Sequence, residues 1–192
     1  MTSPTTETAL HFTSRAADFA AILDSADRQW DLPTPCEGWS VRDVVTHVVE
    51  TERDFLQRQG FEVGAAPDLA DPAMAWSAHC STVTEVLGGE GVADREYDGY
   101  FGRTTIGGTM ADFYGWDLVV HGSDIARATG QPWSISDQEA AELHATADGW
   151  GDALHSEGVC AGAVPVPDDA SASDRLLARL GRDPAWRPTV RG

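Results

Sequence analysis

Apolar residues recur at helical spacing along most of this chain and almost nowhere alternate with a period of two. Over residues 6–26, Leu10, Phe12, Ala16, Phe19, Ile22 and Leu23 fall on one helical face. The stretch 31–39 holds two prolines and a glycine and reads as a loop. Ser40 and Asp43 then form an S-x-x-D capping box, which opens a second helix over about 41–59. Pro72, a good first helical residue, opens a third over 72–87, ended by Gly88 and Gly89. The glycine-rich, aromatic stretch 94–108 predicts an ordered loop with a short extended piece. A fourth helix is expected over about 109–129, stopped by Gly130 and Pro132, and a fifth over about 136–156. A Pro/Gly linker over 158–170 leads to a short last helix over roughly 171–181, carrying Leu176, Leu177 and Leu180. Such a series packs as an all-α bundle. The expected division is a helical bundle over 1–157 and a linker with a helical tail over 158–192, packed on it.

Charge narrows the function. Thirteen basic residues against 31 acidic ones give a net charge of −18, which repels phosphate backbones and anionic headgroups. Neither a nucleic-acid partner nor a membrane surface fits. All the basic residues are arginine, so lysine Schiff-base and P-loop chemistry are excluded. No apolar run is long enough to cross a bilayer, and the first ten residues lack the basic and apolar regions of a secretory signal. Cys36, Cys80 and Cys160 are too scattered for a disulfide framework or a CxxC metal site. A cytoplasmic location with reduced thiols is expected.

The fourth helix is apolar nearly all round, which predicts burial on most sides. Asp117, His121 and Asp124 nevertheless share one stripe of it, at i, i+4 and i+7. Two readings stand for Asp117 and His121. One is a hydrogen-bonded pair that locks the core. The other is a metal site, since an imidazole and a carboxylate one turn apart suit Zn²⁺ or a similar ion. In the second helix, His47 lies at the flank of the face formed by Val41, Val44, Val45 and Val48. Alone it reads as a structural or surface residue; with Asp117 and His121 it completes a two-His, one-carboxylate set. Three protein ligands leave room for water or substrate, the pattern of a catalytic metal. Asp124 and Arg127 are candidates for outer contacts or for a substrate anion, with an i, i+3 salt bridge between them as the ordinary alternative. Glu52 falls near the middle of the second helix's apolar face and is either a buried acid or, if the helix is rotated, solvent-facing. His11, His79, His144 and His155 have no partner legible in the sequence. Trp39 fits a staple to the helix start, and Cys36 a small buried residue. Tyr100, Phe101 and Arg103 fit either a pocket mouth or loop packing.

These residues carry a family resemblance. PTPCEGWSVRDVVTHVVE, residues 33–50, resembles the segment that opens the second helix in the mycothiol-dependent maleylpyruvate isomerase N-terminal domain family, part of the DinB-like superfamily of four-helix bundles. WDLVVHGSDIARATGQP, residues 116–132, is similar to its second signature. VPVPDDASASDRLLARLGRD, residues 164–183, resembles the tail of a subgroup of single-domain actinobacterial members, mostly uncharacterised metal-binding proteins.

The resemblance implies a DinB-like four-helix bundle with an extra short C-terminal helix. It also implies a divalent metal, usually zinc, on His47, Asp117 and His121. In thiol-dependent members the metal activates a thiol cofactor, mycothiol, as its thiolate, because a bound cation stabilises deprotonated sulfur. Zinc on two neutral imidazoles and one carboxylate keeps a net charge of +1 and attracts such an anion. The isomerase branch has Glu in place of Asp117 and more often Trp in place of Ser123, and it carries a sizeable C-terminal domain that contributes to thiol binding. The expected function is therefore a metal-dependent thiol transferase or isomerase acting on a small molecule. The alternatives are a non-catalytic metal- or ligand-binding module of the stress response and a metal-dependent hydrolase. Family members are monomers or homodimers, so either state is expected.

Overall fold

The computed structural model describes residues 4–156 and 159–188, with side chains from His11 onward, so Leu10 of the first apolar stripe lies outside the described side chains. The chain is helical apart from one short hairpin. Four long helices make the bundle: α1 (Pro4–Asp24), α2 (Val41–Arg58), α3 (Pro72–Leu87) and α5 (Gly115–Thr129). Helix α1 packs on α3 and α5, and α2 packs on the same two, which closes a four-membered ring of helices.

Local chemistry sets the starts. The Ser40 hydroxyl accepts from the Asp43 amide at 3.2 Å, and the Asp43 carboxylate accepts from the Ser40 amide at 2.8 Å. That reciprocal box satisfies two amides that α2 would otherwise leave bare. Asp71 caps α3, with Pro72 just inside.

Three departures from the expected elements have local causes. The extended piece within 94–108 is a true hairpin, β1 (Glu96–Gly99) against β2 (Gly102–Thr105), paired from Glu96 with Thr105 to Gly99 with Gly102. The fourth helix starts earlier, with a single turn α4 (Ile106–Thr109), and passes through a π-helical segment, Met110–Tyr114, before α5. A π segment inserted in an α-helix re-aims the residues after it and is frequent at functional sites. The fifth, α6 (Asp137–Trp150), ends early because Gly151 takes φ 55, and a 3-10 turn, Gly151–His155, follows. The tail helix is α7 (Ala172–Arg179).

Helix α5 is enclosed, as its composition demanded. One side faces the bundle interior, where Leu118 and Ile125 join Phe19, Val45, Val48 and Trp76. The other side meets α6 and α7, where Trp116, Val119 and Val120 pack with Leu143, Leu154, Leu176, Leu177 and Leu180. Asp117 and His121 lie between these two apolar clusters, held by backbone buried on both flanks. No helix among the described residues is long and apolar enough to cross a membrane.

Candidate metal centre

The loop before α2 is stitched tightly. The Thr34 hydroxyl donates to the Trp39 carbonyl at 2.9 Å, the Thr34 amide donates to the same oxygen at 2.9 Å, and Pro33 bridges Ser40. This fixes Trp39 over the imidazoles of His47 and His121, with ring centroids 4.8 and 5.9 Å away. Trp39 is thus more than the helix staple its position suggested.

His47, Asp117 and His121 converge. Each offers one ligand atom, and the three atoms lie within 4.8 Å of one another. His47 Nε2 stands 3.6 Å from Asp117 Oδ2, and His121 Nε2 stands 3.4 Å from Asp117 Oδ1. Burial pushes the Asp117 carboxyl up, but the two imidazoles outweigh it and hold the group below its ordinary value.

Asp124 meets the other nitrogen of His121, with Nδ1 and Oδ2 3.0 Å apart. Its partner is Arg182, just past α7, whose guanidinium donates to Asp124 Oδ2 at 3.1 Å and Oδ1 at 3.4 Å. Burial opposes ionisation of Asp124, yet Arg182 and then His121 keep its carboxyl below the usual range. An ionised Asp124 can only accept, so His121 Nδ1–H donates to it, and Nε2 is the nitrogen turned to Asp117. Arg127 does not take part. It turns to the tail, donating to the carbonyls of Asp183 and Pro184 and facing Asp174 at 3.5 Å. The i, i+3 pair is absent because Arg182 already occupies Asp124. Ser123 is buried and is not among the residues that line the cavity.

A cavity of about 410 Å³ opens on this cluster, lined among others by Cys36, Trp39, His47, Asp117, His121, Cys160 and Arg182. A smaller one of about 210 Å³ meets it at His47, Trp116, Asp117 and Cys160. Burial pushes both the Cys36 and Cys160 thiols up to about 11, although Arg182 works against it.

The α2–α3 interface holds a second polar pair. Glu52 Oε2 and His79 Nε2 lie 2.8 Å apart with both side chains fully buried. Glu52 therefore faces the core, and His79 has the partner that its sequence neighbours could not show. Glu52 Oε1 and His79 Nδ1 find no protein partner among the described residues. Burial drives the Glu52 carboxyl up, against the opposing pull of His79.

Residues 9–126 match the mycothiol maleylpyruvate isomerase N-terminal domain family. The chain belongs to that family. The matched span holds all three members of the cluster, and the DinB-like all-α fold of the family is the fold described above. Two uncharacterised proteins of Mycobacterium tuberculosis, from strains CDC 1551 and H37Rv, are each 31% identical to this family member over 178 residues. The alignment covers 88% of this chain and 94% of either relative. It thus extends past residue 126, where the family domain ends. No solved structure matches the chain.

Proposed function

We propose that His47, Asp117 and His121 bind a divalent cation, zinc by the chemistry of the donors, and that the centre serves thiol-dependent transfer or isomerisation of a small molecule. The separation of the three ligand atoms carries this reading. A hydrogen-bonded Asp–His pair sits at about 2.7–3.2 Å. The oxygens of Asp117 stand farther off, at 3.6 and 3.4 Å from the two imidazoles. Ligand atoms about 2.0–2.1 Å from a tetrahedral zinc are about 3.3 Å apart, and one atom from each of the three residues lies within 4.8 Å of the other two, so a small closing of the side chains would seat an ion. Two nitrogens and one oxygen are also a donor set zinc accepts, and three protein ligands leave a coordination position for substrate.

When bound, the cation supplies the positive charge that stabilises a thiolate at neutral pH. The protein's own groups do the rest. Asp124 and Arg182 fix the ring of His121 and its tautomer. Trp39 lies over both imidazoles and keeps water from that side. Partial burial holds the Cys36 and Cys160 thiols protonated at neutral pH in the absence of a cation, and the thiol proposed for the centre is a separate small molecule, mycothiol or another low-molecular-weight thiol.

Metal analysis of the purified protein tests the first step. The expected result is one zinc or similar ion per chain, lost in His121→Ala while the helical circular dichroism persists. Full metal content in the folded variant overturns the assignment. Cobalt substitution tests the second step. A visible spectrum that shifts when thiol is added supports thiol chemistry. A spectrum that responds to pH alone points to a hydrolase, and one that responds to neither points to a closed binding module.

A further inference from the structure

A longer groove of about 870 Å³ lies beside these cavities, between the β1–β2 hairpin, the end of α2, the π-helical turn and α6. A series of rings forms its wall. Tyr100 and Phe101 at the hairpin turn have centroids 4.9 Å apart. Phe101 stacks on Trp150 at 5.0 Å with 20° between the planes. Trp150 meets Trp116 edge-on at 4.9 Å, and Trp116 lines both cavities at His47 and Asp117. Aromatic surface therefore runs from solvent to the candidate centre. Its outer end is uncovered, with Tyr100 77% and Phe101 37% exposed. Adjacent exposed rings form a contiguous apolar patch of the kind that marks ligand-binding grooves.

The charges say what kind of molecule fits. The two arginines that line the groove are both engaged: Arg58 with Asp54 at 2.9 Å and Arg103 with Glu96 at 2.6 Å. Asp98 and Asp112 line it too, so with Asp54 and Glu96 the acids outnumber the two arginines and a carboxylate or phosphate entering would meet net negative charge. A flat ring has a face to stack on, in a space within the roughly 300–1,000 Å³ typical of small-molecule sites.

We infer that this groove binds the planar, uncharged aromatic part of a small-molecule substrate and directs it to the centre at His47 and Asp117. The word substrate rests on the proposed metal-dependent function; binding in the groove does not. Calorimetric titration of the metal-free full-length protein with 2-naphthol tests the groove by itself. The expected result is saturable one-to-one binding, weakened about fivefold or more in Phe101→Ala, whose exposed ring can be removed without opening the core. The same ring bearing a carboxylate, 2-naphthoate, should bind about fivefold or more weaker than 2-naphthol. No saturable binding, an unchanged affinity in the folded Phe101→Ala variant, or equal binding of 2-naphthoate overturns the inference. In cobalt-loaded protein, distance-dependent broadening of the naphthol proton resonances should place the ring near the centre. Binding without broadening overturns the substrate role. Failure to load cobalt overturns the metal reading instead, and the metal-free titration still decides the groove.

Discussion

Asp124 shows how much rests on single side chains here. It is one turn from His121 on α5, is 1% exposed, and takes its counter-charge from Arg182, 58 residues away. Replacing Asp124 with Asn keeps the size and an acceptor but removes the charge that pairs with Arg182. Zinc affinity in Asp124→Asn should fall by about 10- to 100-fold, measured by competition with a chelator, because the imidazole loses its orienting partner. The variant should also unfold with about 3 kcal/mol less free energy in urea, since Arg182 is left buried without its counter-ion. Unchanged affinity would mean that Asp124 serves the core alone. Arg127 sits on the same helix and reads in the sequence as the natural partner of Asp124, yet it serves the tail.

At the scale of elements, caps and close approaches govern. The Ser40 hydroxyl and amide lower the Asp43 carboxyl below its ordinary value. Near that value the folded chain binds fewer protons at Asp43 than the unfolded chain does. The contribution to stability is therefore complete at higher pH and is lost as pH falls through the carboxylate range. Asp43→Asn should lower the melting temperature by about 2–4 °C at pH 7, as expected for a loss of about 1 kcal/mol. The gap from wild type should narrow as the buffer falls below about pH 4, through the lowered value of Asp43, and a gap that stays constant with pH would sink this account. Helix α5 contains a different constraint. A Cβ added at Gly122 would lie 2.4 Å from Trp133 Cη2 and 2.5 Å from its Cζ2, so the indole must move. Gly122→Ala should cost about 1–3 kcal/mol in urea unfolding, in spite of alanine's better helix propensity of about 1 kcal/mol. A stabilised variant would show that Trp133 shifts freely.

Across the whole molecule, the tail is built into the core that backs the candidate centre. Leu176, Leu177 and Leu180 are buried against α5 and α6, and Arg182 reaches Asp124. Burying a leucine contributes about 1.5–3 kcal/mol, so the three together amount to a large part of the about 5–15 kcal/mol by which a domain is stable. A chain ended after residue 170 should lose its cooperative thermal transition or melt far below the full chain, as followed by circular dichroism. An unchanged transition would make the tail an accessory.

Most helices and several of their boundaries were legible because they depend on neighbours: an S-x-x-D box, a proline after Asp71, a glycine past Thr129. Asp117 and His121 were legible for the same reason, since a helix places i and i+4 together whatever surrounds it. His47 could be placed only at a flank, because the rotation of α2 is set by packing. Glu52, Asp124, Tyr100 and Phe101 stood out in the sequence, but neither the partners His79 and Arg182 nor the ring series that ends at Trp116 could be read there. These pairings join segments far apart in the chain, and only the closing of the bundle fixes which of many polar or aromatic residues meet. Short-range hydrogen bonding and periodicity thus determined most of the elements and two of the three candidate ligands, while burial of apolar surface between distant helices decided the completion of the centre, its support and its surroundings.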